Sequence, residues 1–508
     1  MAGGFLPYHE PGIVEILIII SFFFFLSLAE WVSAKVLRAG IIGQIAVGII
    51  YGVPLANILE SNWQQTFLAL GYVGLILIIF EGGLGARLDL LKENLVVSTI
   101  GAATGVCFPI GLSYLLLYLG YGYGAVETFI IGAALSATSL GTTFAVISSA
   151  SKTVDLAQTR VGSVLVSAAV IDDVVGLVLS RSVTQISKIR TYLPDINSII
   201  SDLGKLSNSD ANLGWIIGRP IVASVAMAIL TPIVTKFLFA PIFRKYIEFH
   251  FARYDHISNI ILMTLVLCAF ISIAAYTGTS VLFGAFLAGT FLSYLPSKRP
   301  DGPFVVMSRE EGEQNEDKSP TFVHTFEAYL LGVQTYLMEP LFFASIGFAI
   351  PFVQLWTGKR IWRGILFTLL MVVAKFVVGI WIPVWKYLPW TKSKADKASK
   401  ESSSAPDVPV ETPKDNATML SALLLGSAMV ARGEIGLLII EIGYNSTEYV
   451  SEEGFITGVW AILLNTIIGP VTVGLLVKFY GKRIEGGEWG LQKGSSPSQE
   501  KGNAQSAV

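Results

Sequence analysis

Thirteen apolar segments constrain this chain more than any other feature of its 508 residues. A helix that crosses the bilayer core needs about 20 apolar residues, and only 14% of this chain is charged, against about 25% in soluble proteins. We therefore expect an all-α polytopic membrane protein with about 13 transmembrane helices in one domain, residues 1–480. The approximate segments are residues 13–31, 41–53, 66–84, 95–119, 127–149, 161–181, 214–238, 257–276, 280–295, 339–356, 361–385, 417–442 and 454–477.

The basic residues alternate along these segments. Of the 35 Lys and Arg residues, 25 lie after odd-numbered segments or in the C-terminal tail, and 8 lie on the other side. Loops rich in Lys and Arg stay cytoplasmic, which predicts an outside N-terminus and a cytoplasmic C-terminus, in a plasma membrane or an endomembrane. Two basic residues, Lys375 and Arg432, fall near the middle of a segment.

Three stretches are too polar to fold alone, because they offer little apolar surface to offset the entropy of the chain. Residues 297–322 are expected to form a polar cytoplasmic loop. Residues 391–416 and 484–508 are expected to form a disordered cytoplasmic linker and a disordered cytoplasmic tail.

Asp172 and Asp173 lie at the centre of the segment 161–181, at the depth of the bilayer midplane. Adjacent residues of a helix point about 100° apart, so the two carboxylates need different environments. A carboxylate binds small cations through oxygen and also titrates, so that a proton and a cation compete for the same atoms. This competition is the chemistry of cation/proton exchange.

Lys375 is the third ionisable group at midplane depth, and its own segment offers no nearby acidic partner. An unpaired ammonium is costly at this depth, so we expect Lys375 to pair with one of the two aspartates. A static ion pair that only joins two helices is the alternative. With two aspartates and one lysine, that alternative leaves one carboxylate uncompensated.

Two segments have sequences that favour an interrupted helix. Segment 127–149 is rich in small and hydroxyl residues around Thr138 and Ser139, which small-residue helix packing would also explain. In segment 417–442, Arg432 and Glu434 flank Gly433. Because residues two apart do not face each other on a helix, either these buried charges have separate partners or the helix breaks at the glycine.

The positions of these two segments indicate an internal repeat. If five-helix units begin at the second and the ninth segment, they have opposite orientations, and the fourth helix of each is breakable. Transporters often place ion sites where two interrupted helices cross near the midplane. We therefore predict two inverted five-helix repeats with two crossing broken helices.

Several motifs occur in an order that resembles the monovalent cation:proton antiporter superfamily, most closely its second branch of sodium/proton antiporters and potassium efflux systems. The resemblance covers roughly residues 13 to 480 and depends on several motifs together. They are GQIAVGIIYG (43–52), LGYVGLILIIFEGGL (70–84), GAALSATSLGTT (132–143), Asp172 with Asp173 in VIDDVVGLVL, PLFFASIG (340–347), Lys375 and ARGEIG (431–436).

The resemblance implies roles for individual residues. Asp173 would bind the cation, Asp172 would pair with Lys375, and Thr138 with Ser139 would mark the unwound part of the fifth segment. It also implies a homodimer in which a core bundle moves against a scaffold. Na⁺ or K⁺ and H⁺ would be the substrates, without a cofactor and without a metal other than the transported cation.

Other functions remain open at this point. A cation channel would also need polar residues at midplane, although pores are usually lined by rings of groups from several subunits. A membrane receptor or scaffold could hold the same charges for structural reasons. An enzyme is not expected, since no phosphate-loop or nucleophile-elbow motif occurs. Nucleic acid is not an expected partner, since 35 basic residues stand against 37 acidic ones.

Overall fold

The computed structural model describes nearly all of the predicted segments as helices. We number the principal helices α1 to α15 in chain order. The described residues are 10–37, 40–85, 94–138, 159–192, 213–248, 255–296, 321–387, 415–487 and 489–490.

The helices of the first half are bounded as follows: α1 Ile13–Leu37, α2 Gly40–Tyr51, α3 Ser61–Leu84, α4 Leu95–Ser113, α5 Ala125–Ala134, α6 Arg160–Tyr192 and α7 Leu213–Val234. A π-helical turn, Tyr114–Gly120, extends α4. Three short pieces extend α7: Thr235–Phe239, Ala240–Ile242 and Phe243–Ile247.

The helices of the second half follow in the same way: α8 Asp255–Thr277, α9 Val281–Tyr294, α10 Phe322–Tyr329, α11 Glu339–Ala349, α12 Gly358–Gly379, α13 Asp415–Val430, α14 Glu434–Asn445 and α15 Glu452–Glu485. Short helical pieces join them: Leu331–Val333, Gln334–Met338, Phe352–Trp356 and Trp381–Tyr387.

Eight helices within the described ranges are long and apolar enough to cross a membrane, and three shorter apolar helices accompany them. This architecture is that of a polytopic membrane protein. Each predicted segment overlaps at least one described helix, although the number of about 13 crossings stays a prediction.

Helical structure reaches into the margins of the three polar stretches. The loop 297–322 ends where Thr321 caps α10 by accepting a hydrogen bond from the backbone N–H of His324. The linker 391–416 ends inside α13, which begins at Asp415. At the tail, α15 continues to Glu485, and Trp489 is buried. The remainder of these stretches lies outside the described residues.

The helices form two groups. Six of them pack side by side in the order α1, α2, α11, α3, α9, α8, and we call this group the panel. The second group, the bundle, contains α4, α5, α6, α12, α13, α14 and α15. In the bundle α4 packs on α5 and α6, and α12 packs on α13 and α15 in the corresponding way. The groups meet through α7, which contacts α6 and α9, through a direct contact of α6 with α9, and through α11 with α14.

Close approach between panel helices depends on glycine. A Cβ atom on Gly48 would lie 2.1 Å from the carbonyl oxygen of Ala344, and one on Gly289 would lie 2.3 Å from that of Phe80. Neither position has room for a side chain, because the obstacle is backbone. The helices α2 with α11 and α3 with α9 therefore touch along their main chains.

Both segments predicted to be breakable leave helical structure within the bundle. Helix α5 ends at Ala134, and the described chain continues without helical structure to residue 138. Helix α13 ends at Val430, and α14 begins at Glu434 after an extended Gly433 (φ −164°, ψ −139°). The interruption predicted at this glycine is confirmed. The chain after α5 meets the end of α13, and we call this place the crossing.

Candidate functional site

Helix α6 brings Asp172 to the crossing, and α12 brings Lys375. Both side chains are fully buried, and the Nζ atom of Lys375 lies 2.8 Å from Oδ2 of Asp172. An isolated buried charge would be very costly, so each group depends on the other. The ammonium pairs with the carboxylate within the apolar interior of the bundle.

The chain that follows α5 completes this ion pair. The hydroxyl of Thr138 donates a hydrogen bond to Oδ2 of Asp172 at 2.5 Å. Lys375 donates to the carbonyl oxygen of Ser136 at 2.6 Å and to the Thr138 hydroxyl oxygen at 3.1 Å. Ending α5 at Ala134 is what frees these groups, because a continuous helix would use the carbonyl of Ser136 internally.

The second oxygen of Asp172 is free for a ligand. Oδ1 is buried and has no hydrogen-bond partner among the described residues, whereas Oδ2 accepts from both Thr138 and Lys375. A carboxylate has about four lone-pair sites. One side of Asp172 is therefore committed to the ion pair, and the other can accept a proton or bind a cation.

Arg432 is the other cation at the crossing, and carbonyl groups hold it. Its Nη1 atom donates to the carbonyl oxygens of Ala137 and Met429, both at 3.1 Å. The Nε and Nη2 atoms are buried without a hydrogen-bond partner. The Thr138 hydroxyl also lies 3.5 Å from the Met429 carbonyl oxygen, so the environments of Arg432 and Asp172 adjoin.

The electrostatic logic of these contacts follows from the ends of the helices. The C-terminal end of a helix carries partial negative charge on its free carbonyl groups, and cations are favourable there. The chain after α5 and the end of α13 meet at the crossing. The positive charge of Lys375 offsets the partial negative charge of the carbonyl groups after α5. Arg432 donates hydrogen bonds both to that segment and to the last turn of α13.

Helix α15 supports the interruption between α13 and α14. The Thr466 hydroxyl donates to the carbonyl oxygen of Arg432 at 2.9 Å. A Cβ atom on Gly469 would lie 2.6 Å from the backbone nitrogen of Ala431, so α15 touches the break directly. The non-helical backbone is therefore packed against protein, as interrupted helices in membranes require.

Four predicted site residues thus meet: Thr138, Asp172, Lys375 and Arg432. Asp173 follows on α6 and Glu434 begins α14, but their side chains lie outside what the structure describes, as does Ser139.

Sequence reasoning missed the carbonyl groups, which have no signature of their own. It also missed Asn465 and Thr466, although two adjacent polar residues within the apolar stretch AILLNTIIGP are a usable signal.

The donor set at the crossing consists of hard oxygen atoms. Carboxylate, hydroxyl and carbonyl oxygens suit small hard cations. Within the described ranges, no group of three or more His, Cys, Asp or Glu side chains is placed to hold a metal ion. The arrangement is suited to binding a monovalent cation transiently and to exchanging it for protons.

Known proteins are similar to this chain over most of its length. The family model for the transmembrane region of sodium/hydrogen exchangers matches residues 18–479. A Na⁺/H⁺ antiporter of Enterococcus hirae is 26% identical over 453 residues, which are 87% of this chain and 92% of that protein. The Na⁺/H⁺-K⁺ antiporter GerN of Bacillus cereus is 22% identical over 450 residues, 87% of this chain and 91% of GerN.

A solved structure has the same fold. The sodium proton antiporter MjNhaP1 of Methanocaldococcus jannaschii aligns with a TM-score of 0.54 and 18% identity, covering 92% of this chain and 99% of MjNhaP1. These comparisons confirm the resemblance to the monovalent cation:proton antiporter superfamily. The chain is an integral multi-pass membrane protein that belongs to the sodium/hydrogen exchanger family.

Proposed function

We propose that this protein exchanges Na⁺ or K⁺ for protons by alternating access, with Asp172 and Asp173 as the groups that bind cation and proton in turn. The observation that carries the proposal is the buried pair of Lys375 and Asp172 at the crossing, with one oxygen of Asp172 left without a partner. Asp173, the next residue of α6, supplies a second carboxylate.

The ion pair suggests a reaction cycle. In the empty site, Lys375 is protonated and paired with Asp172, while Asp173 holds a proton or awaits a cation. A cation that binds at Asp173 displaces the proton held there and recruits Asp172 as a second carboxylate. The ammonium then loses its counter-ion in a low-dielectric interior and releases its proton.

This cycle moves net charge. One proton leaves Asp173 and one leaves Lys375 for each monovalent cation that binds, so that two protons exchange for one cation. A single exchanging carboxylate without the lysine would trade one for one. We therefore propose that transport is electrogenic and that Lys375 is the reason.

Movement of the bundle against the panel would expose the crossing to each side in turn. The described contacts between the two groups are few and pass mainly through α7 and through α11 with α14, which supports such a motion. The outer face of α1 is strongly apolar, with Ile13, Val14, Leu17 and Phe24 exposed. We propose that panel surface of this kind faces lipid and a second copy in a homodimer.

The identity of the cation and the orientation of the chain in the membrane are supported by different observations. The printed names of the relatives include Na⁺/H⁺ antiporters and one Na⁺/H⁺-K⁺ antiporter, so Na⁺ and K⁺ are both proposed substrates. The Lys and Arg distribution supports an outside N-terminus and a cytoplasmic C-terminus.

Exchange is tested with purified protein in liposomes that contain a quenched pH dye and a preset proton gradient. Addition of Na⁺ or K⁺, with Li⁺ as a third ion, is expected to collapse the gradient and restore fluorescence. A large ionic current without proton coupling would identify a channel instead. The absence of both would indicate a receptor or scaffold.

Electrogenicity is tested by measuring the exchange rate at a series of potentials set by K⁺ and valinomycin, with Na⁺ as the transported ion. The rate of the wild-type protein is expected to vary with the potential. The Lys375→Gln variant is expected to lose that dependence even where some exchange survives. A wild-type rate that ignores the potential would refute the two-proton cycle.

A further inference from the structure

Asn465 is a buried amide without a hydrogen bond. It lies on α15 next to Thr466, whose hydroxyl is bonded to the backbone of the helix break. The side chain is fully buried, and neither its Nδ2 nor its Oδ1 atom has a partner in the structure. Leaving a buried polar group unpaired is costly, so this residue needs an explanation.

Asn465 differs from the other buried side-chain amides among the described residues. Each of the others donates a hydrogen bond through its amide nitrogen to a protein oxygen, whereas Asn465 uses neither end. The others are Gln44, Gln64, Asn94, Asn259 and Gln334.

The position of Asn465 directs it towards the crossing. Gly458 lies two helical turns earlier, and residues seven apart share one face of a helix. A Cβ atom on Gly458 would lie 2.1 Å from a side-chain carbon of Ile440 on α14 and 3.4 Å from one of Ile131 on α5. The face of α15 that carries Asn465 is therefore packed on the two half-helices that end or begin at the crossing.

Other buried polar atoms in the same region also lack partners. They are Nε and Nη2 of Arg432, which are donors, and Oδ1 of Asp172, which is an acceptor. A buried water needs two to four polar partners. These atoms, together with the Asn465 amide, provide both donors and acceptors.

We propose that Asn465 anchors a small hydrated pocket beside the crossing, with water as its ligand, and that this water is needed for exchange. The proposal rests on the proposed cation/proton exchange. Water held by Asn465 and Arg432 would solvate the cation or the proton next to Asp172. Asn465 is thus a positioning residue that acts through bound water.

The test compares two variants that differ by one oxygen atom, Asn465→Ser and Asn465→Ala, in the liposome assay. The serine hydroxyl can still bind water, so Asn465→Ser is expected to keep at least half of the wild-type rate. The exchange rate of Asn465→Ala is expected to fall about tenfold or more. This is the usual size of the effect when a group acts through another ligand. Thr472→Val on the same helix is the control, because the Thr472 hydroxyl is bonded within its own helix.

The two variants also separate hydration from stability. We expect their melting temperatures to agree within a few degrees, so that stability does not explain the difference in rate. Equal rates in the serine and alanine variants, or a rate that follows the melting temperature, would overturn the proposal. A wild-type protein without exchange would refute the proposed function and, with it, this proposal.

Discussion

The panel and the bundle treat buried polar groups differently. In the panel, the buried amides of Gln44 and Gln334 donate to the carboxylates of Glu30 and Glu81, and their Oε1 atoms have no partner among the described residues. In the bundle, nitrogen donors of Arg432 and Asn465 also have no partner among the described residues, and neither does Oδ1 of Asp172. Polar groups in a membrane interior are costly unless they are paired. These panel amides therefore use their donors, whereas the bundle retains both donors and acceptors that a ligand can use.

The largest effect is expected when a single carboxylate of the bundle is removed. Asp173→Asn keeps the size of the side chain and removes its titrating charge, so exchange is expected to fall to the level of empty liposomes while the protein stays folded. Glu30→Gln, at a panel carboxylate, is the matched control and is expected to exchange at the wild-type rate. Undiminished Na⁺- or K⁺-dependent proton movement in Asp173→Asn would refute the assignment of this residue as a cation- and proton-binding group.

The next effect concerns the stability of the panel. Gly48→Val places a side chain against the backbone of α11, where a Cβ atom already lies 2.1 Å from a carbonyl oxygen. Overpacking of this kind costs about 1 to 3 kcal/mol and occasionally more, which a thermal melt in detergent would detect as a fall of several degrees or as loss of folded protein. At Gly111 on α4, a Cβ atom would meet nothing within 4 Å. Equal melting of Gly48→Val and Gly111→Val would show that the panel is not tightly packed.

Arg432→Ala is expected to lower both stability and exchange. The carbonyl groups of Ala137 and Met429 would each lose their donor, at about 1 to 3 kcal/mol for each group left unpaired. Arg432→Lys keeps a cation and is expected to retain part of both properties. From the sequence we expect the same direction for Glu434→Ala. Wild-type melting and exchange in the two alanine variants would indicate that these residues face water.

The smallest effect is expected where charges are exposed. Glu453 at the start of α15 pairs with Arg363 at 2.6 Å and with Lys359 at 3.5 Å, and 42% of the Glu453 side chain is exposed. Surface ion pairs contribute about 1 kcal/mol or less, so Glu453→Gln should change the melting temperature slightly and less at high salt. A loss as large as that of Arg432→Ala would show that this pair holds the bundle together.

The sequence predicted those residues of the candidate site whose burial in a membrane is energetically costly. Asp172, Lys375 and Arg432 stand out because ionisable groups are rare at midplane, and Gly433 marked the helix break correctly. The partners of Arg432 were not predictable, because they are carbonyl groups that any residue has. The contact of Thr466 with the break depends on how α15 approaches it, and that approach follows from three-dimensional packing instead of local periodicity.

The first turn of α6 is capped by residues from the other end of the chain. The backbone N–H groups of Arg160 and Val161 donate to the carbonyl oxygens of Gly490 and Trp489 at 3.0 and 3.1 Å, and the Arg160 guanidinium lies over the Trp489 ring. These acceptors are synthesised only after all the other described helices. The helix that carries Asp172 therefore lacks its final cap during most of translation, and a ribosome-released chain that ends before residue 489 should insert its helices yet fray at the start of α6.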